Sequence, residues 1–152
     1  MKKYIEPTTN ESFVRVLVPF SGLVASLYLA YSEHWFLALN TVLISGLVFH
    51  KCKRNLLLRK TEYPSHDGNY QNCKRAAVIH GWNTVSDIEM VRLEFETEAS
   101  LGSWGELITV LFTRSGISIN SRPSPLARPS ITSFGRNKEN VNKVMAMLES
   151  NS

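Results

Sequence analysis

Two uncharged apolar runs near the N-terminus constrain the fold of this chain more than any other feature. Residues 16–32 contain no charged residue over 17 positions, and residues 35–49 contain none over 15. About 20 apolar residues cross roughly 30 Å of hydrocarbon, and the usable range begins near about 17. The first run reaches that range, whereas the second needs its flanking histidines or local bilayer thinning. We therefore predict a transmembrane helical hairpin over residues 13–50, with spans of about 13–32 and 34–50.

Two other interpretations of the apolar runs are less consistent with the sequence. A soluble helical hairpin would have to be covered by the remaining hundred residues, which is difficult for two helices that are apolar on all sides. A signal peptide would account for Lys2 and Lys3 before an apolar run. However, the run begins late, after the polar stretch "EPTTNES", and a second apolar segment follows almost at once.

The distribution of basic residues predicts an orientation for the hairpin. Of the 152 residues, those from 51 onward carry 14 Lys and Arg against 10 Asp and Glu, whereas those before it carry three of each sign. The segment "HKCKRNLLLRK", residues 50–60, directly follows the second run, and the connecting loop "SEH" has no Lys or Arg. By the positive-inside rule both termini should face the cytosol. We name this segment's basic residues the collar: Lys51, Lys53, Arg54, Arg59 and Lys60.

Small and polar residues within the two runs predict how the helices pack. Small side chains let the helices approach closely, and we expect Pro19 to kink the first helix. Asn40 and Thr41 can hydrogen-bond across the helix pair. The small residues expected at the interface are Ser21, Gly22, Ala25, Ser26, Ser45 and Gly46.

The C-terminal hundred residues predict a β-rich domain. "MVRLEFETE", residues 90–98, alternates apolar Val91, Leu93 and Phe95 with charged residues, as a half-buried strand does. "ELITVLFT" and "GISIN" flank "RSG", which predicts a hairpin with Gly116 at positive φ. "RAAVIHGW" is expected to be an earlier strand and "ITSF" a short late one, separated by the turn-rich stretches "PSHDGNYQN" and "SRPSPLARPS".

The last segment predicts an amphipathic helix. "NKENVNKVMAMLES" places Val141, Val144, Met145 and Leu148 at helical spacing, with Asn137 as the candidate N-cap. The predicted class is therefore an α+β membrane protein, in which a transmembrane hairpin precedes a small antiparallel β-domain closed by a C-terminal helix. Its predicted segments are a cytosolic tail (1–12), the hairpin (13–50), a basic juxtamembrane segment (51–69) and the cytosolic β-domain (70–152).

This order of elements resembles a group of bacterial inner-membrane proteins. They have two transmembrane helices, a basic junction, and a small cytosolic β-domain resembling a pleckstrin-homology-like fold, a bent sheet capped by a C-terminal helix. The paired spans, the collar, "MVRLEFETE", "ITVLFTRSGISI" and "FGRNKENVNKVMAMLES" carry the resemblance, over nearly the whole chain. The likeness is architectural. It implies interaction or assembly and transfers no catalytic residue.

The sequence contains no catalytic, cofactor or metal motif that we can assign. His66, Cys73 and His80 recur at seven-residue intervals, but accidental spacing explains them better than a metal site. "GSWGE" lacks the spacing of a phosphate-binding loop. Glu94, Glu96 and Glu98 occupy alternate positions, as on a solvated strand face. We predict a non-enzyme without a cofactor or a metal, and without nucleic acid as a partner.

Two surfaces remain as candidate binding sites. The collar could hold anionic lipid headgroups, at about 1 kcal/mol per basic residue, although topogenic charge alone would also explain it. The segment of residues 121–136 is read as a long loop with three prolines and three arginines, and a flexible surface connector is the equally good alternative. The predicted partner-binding residues are Arg122, Arg128, Arg136 and Trp104.

Three classes of function follow. The leading one is a membrane-anchored interaction protein whose partners are the bilayer and a protein or anionic lipid. The second is an immunity-type or accessory protein for one dedicated partner, and the third, which we disfavour, is an enzyme at the membrane face. The partner's identity and the oligomeric state stay open.

Overall fold

The computed structural model describes residues 3–99, 103–126, 133 and 135–149. Two compact units divide the chain. The helical unit is Glu6–Leu56, and the sheet unit combines Met1–Ile5 with Leu57–Ser152. The N-terminal residues therefore belong to the same unit as the C-terminal domain, which the sequence did not suggest.

The helical unit consists of two helices joined by a three-residue turn. α1 is Thr9–Tyr31 and α2 is Trp35–Asn55. A reciprocal capping box starts α1, because the Glu11 amide donates to the Thr8 hydroxyl (3.3 Å) and the Thr8 amide donates to the Glu11 carboxylate (2.8 Å). This cap moves the start of the helix four residues before the predicted position. Pro19 lies inside α1, which continues on both sides of it.

α1 and α2 pack through three buried small residues, Ser26, Ala38 and Ser45. The approach is closest at Gly22, where an added Cβ would lie 1.9 Å from the Ser45 hydroxyl oxygen. Gly46 has no atom within 4 Å of such a Cβ and lies outside this contact. The predicted hydrogen bonds from Asn40 and Thr41 across the helix pair were wrong. Both side chains instead donate to carbonyls of their own helix, at Phe36 (2.7 Å) and Leu37 (2.8 Å).

The remaining surface of both helices is apolar and exposed. Of the most apolar 18-residue window, 6% is buried in α1 and 11% in α2, whereas the core helix of a soluble protein would be mostly buried. Both helices are long and apolar enough to span a membrane.

The sheet unit contains one open antiparallel sheet. The strands are β1 (Arg59–Lys60), β2 (Asn83–Ile88), β3 (Arg92–Glu96), β4 (Glu106–Thr113) and β5 (Gly116–Pro123). Their order across the sheet is β1-β5-β4-β3-β2. β2 to β5 thus form a meander, and the short β1 pairs with the far side of β5, with Arg59 opposite Ile119. Gly116 has φ of 108° at the β4–β5 turn, as predicted.

Two helices cover one face of the sheet, α3 (Asp67–Ile79) and α4 (Arg136–Glu149). Leu93 and Phe95 of β3 point to this face, together with alternate residues of β4 and β5. α4 contributes Val141, Val144 and Leu148, which confirms the predicted apolar stripe, and Met145 packs against the cluster. The core on this face comprises Tyr70, Cys73, Ala76, Ala77, Trp82, Leu93, Phe95, Ile108, Val110, Phe112, Ile117, Ile119, Val141, Val144 and Leu148.

Several local predictions were wrong. Most of "RAAVIHGW" is the second half of α3, because Cys73, Ala76 and Ala77 form one buried helical face. Val91 is 55% exposed and precedes β3 instead of joining its buried side. Asn137 lies inside α4, which begins at Arg136 after Gly135 with φ of 90°. Apart from Ser133, the predicted strand "ITSF" lies outside the described residues.

The mixed architecture of two apolar helices, an antiparallel sheet and a C-terminal helix is confirmed. The observed sheet has a helix, α3, inserted between β1 and β2, which the resemblance did not include. The pleckstrin-homology-like character of the sheet stays a prediction.

Candidate functional site

The N-terminal tail pairs with the segment that follows α2. Tyr4 forms an antiparallel bridge with Leu57, and the Leu58 amide donates to the Lys3 carbonyl (3.0 Å). Ile5 is buried next to this bridge. Three basic residues of the sheet unit, Lys3, Arg59 and Lys60, therefore lie on short paired segments although up to 57 positions separate them in sequence.

The collar residues lie on two different elements. Lys51, Lys53 and Arg54 are exposed on the last turns of α2, and Arg59 and Lys60 are exposed on β1. Successive strand residues point to opposite faces. Accordingly the Arg59 guanidinium turns toward α4, where it donates to the Asn142 side-chain oxygen (3.5 Å), whereas Lys60 shares the other face with Ser118.

A hydrogen-bonded polar network occupies the sheet face opposite the helices. Arg122, 1% exposed, donates to the Thr109 hydroxyl and to the Asn120 side-chain oxygen, both at 3.1 Å. The Thr109 hydroxyl donates to the Glu94 carboxylate (3.0 Å), which also accepts from the Arg92 guanidinium (2.6 Å). The network joins β3, β4 and β5 through hydrogen-bonded polar groups, so removing one member would take a hydrogen bond away from each neighbour that it contacts.

The same network also contacts the segment that follows α2. The Asn120 side-chain amide donates to the carbonyl of Leu57 (2.9 Å), the residue bridged to Tyr4. The polar face thus connects the sheet interior to both segments that border the helical unit in sequence. Within this network a guanidinium, a hydroxyl and a carboxylate contact one another through hydrogen bonds.

The predicted partner-binding residues do not share one environment. Arg122 is the penultimate residue of β5, so the predicted loop begins at least three residues later than expected. Trp104 is 53% exposed before β4, and Arg136 is exposed at the start of α4. Arg128 lies outside the described residues. Of the three described residues, Trp104 and Arg136 remain accessible to a partner.

The residues of the hypothetical metal site have separate structural surroundings. The His66 ring nitrogen Nδ1 caps α3 by accepting from the Asn69 amide (3.2 Å). Cys73 lies in the core, where burial raises the pKa of its thiol to about 12, so it stays protonated. His80 stacks on Trp82 with 5.1 Å between ring centroids, and burial together with Lys143 lowers its pKa. Among the described ranges no group of three His, Cys, Asp or Glu side chains could hold a metal ion.

Two further polar clusters tie elements together. The buried carboxylate of Glu106 accepts from the hydroxyls of Thr97 (2.7 Å) and Ser103. On α3, Tyr70 and Lys74 both donate to Asp87 of β2, with Lys74 at 2.8 Å. The Lys74 ammonium and then the Tyr70 hydroxyl lower the pKa of the Asp87 carboxyl. Sequence reasoning missed both clusters, because each depends on pairing between separate elements.

A cleft of about 620 Å³ opens at the end of the sheet where β4 turns into β5. Its lining combines aromatic and apolar side chains with one guanidinium, the Glu62 carboxylate and several hydroxyls. Met90 at its edge has φ of 55°, in the left-handed region. The principal lining residues are Tyr63, Met90, Phe112, Thr113, Arg114 and Ser115.

Comparison of the chain with protein-family models, with curated proteins and with solved structures found no match.

Proposed function

We propose that this protein is a membrane-anchored, non-catalytic interaction protein of a bacterial inner membrane, which binds a protein or an anionic lipid through its cytosolic sheet unit. The observation that carries the proposal is the exposed apolar surface of the helical unit. Phe13, Phe20, Leu27, Phe36 and Leu43 are each more than half exposed along both helices. Such a surface is costly in water and favourable in hydrocarbon.

The pairing of the N-terminal tail supports a hairpin that enters and leaves the membrane on the same side. Residues 3–5 precede α1 and Leu57 follows α2, and Tyr4 and Leu57 are bridged within the sheet unit. If both helices span, the tail and the sheet unit therefore share one side of the bilayer. The basic collar assigns that side to the cytosol by the positive-inside rule.

The polar residues of the sheet unit support binding rather than turnover. The carboxylates of Glu94, Glu106 and Asp87 each accept a hydrogen bond from another segment of the sheet unit. The donors are Thr109 of β4, Thr97 after β3 and Lys74 of α3. The buried thiol of Cys73 is held protonated, which makes it a poor nucleophile. For a protein partner, we propose exposed Trp104 and Arg136 as contact residues, since aromatic and arginine side chains anchor many interfaces.

Topology is tested with fusions of full-length protein to two reporters, one active only in the periplasm and one only in the cytosol. Fused after Ser152, the periplasmic reporter should stay silent and the cytosolic reporter should be active. The protein should also stay in the membrane fraction after alkaline carbonate washing. Periplasmic activity would overturn the orientation, and release by carbonate would overturn the membrane anchor.

Partner binding is tested by purification in mild detergent. We expect Trp104→Ala with Arg136→Ala to lose co-purifying protein, while the matched pair Arg75→Ala with Val78→Ala, exposed on α3, should retain it. Recovery of the same proteins in the same yield from both pairs would place any protein contact elsewhere.

A further inference from the structure

We propose that Lys3 and Lys60 together form a binding site for the phosphate headgroup of anionic phospholipid. The site belongs to the sheet unit, and it rests on the proposed membrane insertion of the hairpin. Lys3 was not among the predicted headgroup residues. The structure adds it, because the N-terminal tail pairs with the segment leading into β1.

The pairing of the N-terminal tail brings Lys3 close to the segment that carries Lys60. Lys3 is opposite Leu58, whose amide donates to the Lys3 carbonyl (3.0 Å), and Lys60 follows two residues later on the same segment. Two residues of extended chain span at most about 7 Å, and paired segments lie about 5 Å apart, so the Cα atoms of Lys3 and Lys60 are separated by at most about 9 Å. The side chains of Lys3 and Lys60 are both exposed, and a lysine side chain is long enough to cover much of that separation. One phosphate group can thus be approached by both ammonium groups.

Both lysines lie only a few residues from the helical unit in sequence. Ile5 and Leu57 are the sheet-unit residues that adjoin the helical unit in sequence. Lys3 is two residues from Ile5, and Lys60 is three from Leu57, so extended chain places each lysine at most about 11 Å away. This limit holds whatever direction the helices take. Both lysines therefore stay within a short stretch of chain from the proposed hairpin.

The segments that carry the two lysines have a net positive charge. The tail and β1 segment of the sheet unit, residues 3–5 and 57–62, carry Lys3, Arg59 and Lys60 against a single acidic residue, Glu62. Arg59 is turned toward Asn142 of α4, which leaves the two lysines as the principal cations here for a ligand at the membrane. Free phosphate would offer the same oxygens, but only a lipid is concentrated where these residues must lie.

The test measures lipid selectivity of the full-length protein. The protein is reconstituted in phosphatidylcholine membranes containing either spin-labelled phosphatidylglycerol or spin-labelled phosphatidylcholine, and the motionally restricted fraction of each label is compared. We expect wild type to favour phosphatidylglycerol, and Lys3→Gln with Lys60→Gln to lose roughly fivefold for each lysine. The matched control, Arg75→Gln with Arg114→Gln, removes the same charge from exposed positions on α3 and the β4–β5 turn and should keep the preference.

Each other result has a defined meaning. Equal selectivity in wild type and the lysine pair, or equal loss in the arginine control, would overturn the site and leave topogenic charge as the explanation. Displacement of the label by inorganic phosphate beyond that by chloride of equal ionic strength would overturn the lipid as ligand. The conservative pair Lys3→Arg with Lys60→Arg should retain selectivity, which separates lost charge from misfolding. Absence of any motionally restricted lipid would instead overturn the membrane anchor itself.

Discussion

At the scale of single residues, burial decides the roles of the charged side chains more than their identity does. Arg122 was predicted at a partner interface, because arginine is seldom fully buried and the surrounding prolines indicate a loop. Instead β5 continues to Pro123, and the Arg122 guanidinium lies between Thr109 and Asn120. No local pattern in the sequence predicts a hydrogen-bond partner that lies thirteen residues away on another strand.

We expect Arg122→Ala to destabilise the sheet unit by roughly 2–4 kcal/mol, since each buried polar group left without a partner costs about 1–3 kcal/mol. Arg136→Ala, at an exposed position, should change stability by less than about 0.5 kcal/mol. The melting temperatures of the full-length variants in mild detergent, followed by tryptophan fluorescence, test the difference. Equal melting temperatures would show that the network does not stabilise the sheet. An interface test that replaces Arg122 would confound misfolding with lost binding.

Asp87 should make stability depend on acid pH. Its pKa is lowered by Lys74 and Tyr70, so folding favours the carboxylate. The resulting stabilisation is fully present above the unfolded pKa, near about 4, and is lost as pH falls through the lower folded value. The melting temperature of wild type should therefore fall more steeply below about pH 4 than that of Asp87→Asn, in which this contribution is absent at every pH. If the melting temperatures of the two proteins fell in parallel with pH, the contact of Asp87 with Lys74 and Tyr70 would be contradicted.

At the scale of elements, predictions succeeded where one segment carries its own repeating pattern. β3, the β4–β5 hairpin and α4 have apolar residues at strand or helix spacing, and each was found. The residues of α3 were predicted as a turn-rich stretch followed by a strand, because the apolar residues cluster at the C-terminal end. Tyr70, Cys73 and Ala77 nevertheless have helical spacing. β2 is mostly exposed and shows no alternation, and β1 is too short to show any.

Gly22→Leu should disrupt the helical unit, because even a Cβ at this position would lie 1.9 Å from the Ser45 hydroxyl. Gly46→Leu is the matched control, since its Cβ would meet nothing within 4 Å. Heating in mild detergent followed by gel filtration should show less monodisperse protein for Gly22→Leu than for Gly46→Leu. Equal recovery would mean that α1 and α2 can separate at this point without loss of the native state.

Leu148→Asp should destabilise the sheet unit by more than about 3 kcal/mol, because it removes a fully buried side chain and introduces a charge into the core. Ala146→Asp adds the same charge two residues earlier, at an exposed position of α4, and should have little effect. Thermal unfolding of both variants gives the comparison. An unchanged melting temperature for Leu148→Asp would show that α4 does not close the core.

At the scale of the whole molecule, the sequence predicted a hairpin and a β-domain, with the N-terminal residues as a separate tail. The tail was expected to be a cytosolic appendage of residues 1–12, yet Tyr4 and Ile5 are part of the sheet unit. Pairing between Tyr4 and Leu57 joins residues 53 positions apart, and three residues carry too little pattern to predict it. The candidate lipid site could be predicted only in part for the same reason.

Ile5→Asp should lower the melting temperature of the sheet unit, although it lies before both apolar helices in the sequence. Lys3→Gln, at an exposed neighbouring position, should leave the melting temperature nearly unchanged. Hydrogen exchange in full-length protein gives an independent measure, since the amide of Leu58 should lose protection in Ile5→Asp. Retained protection there would mean that the tail only rests against the sheet.

The bridge between Tyr4 and Leu57 also fixes an order of events during synthesis. Tyr4 leaves the ribosome first, but its partner follows only after both apolar helices have been made. The meander from β2 to β5 comes later still. Both helices are therefore synthesised while the sheet does not yet exist, and Tyr4 has no partner strand until Leu57 has been made. Completion of the sheet unit follows synthesis of both helices.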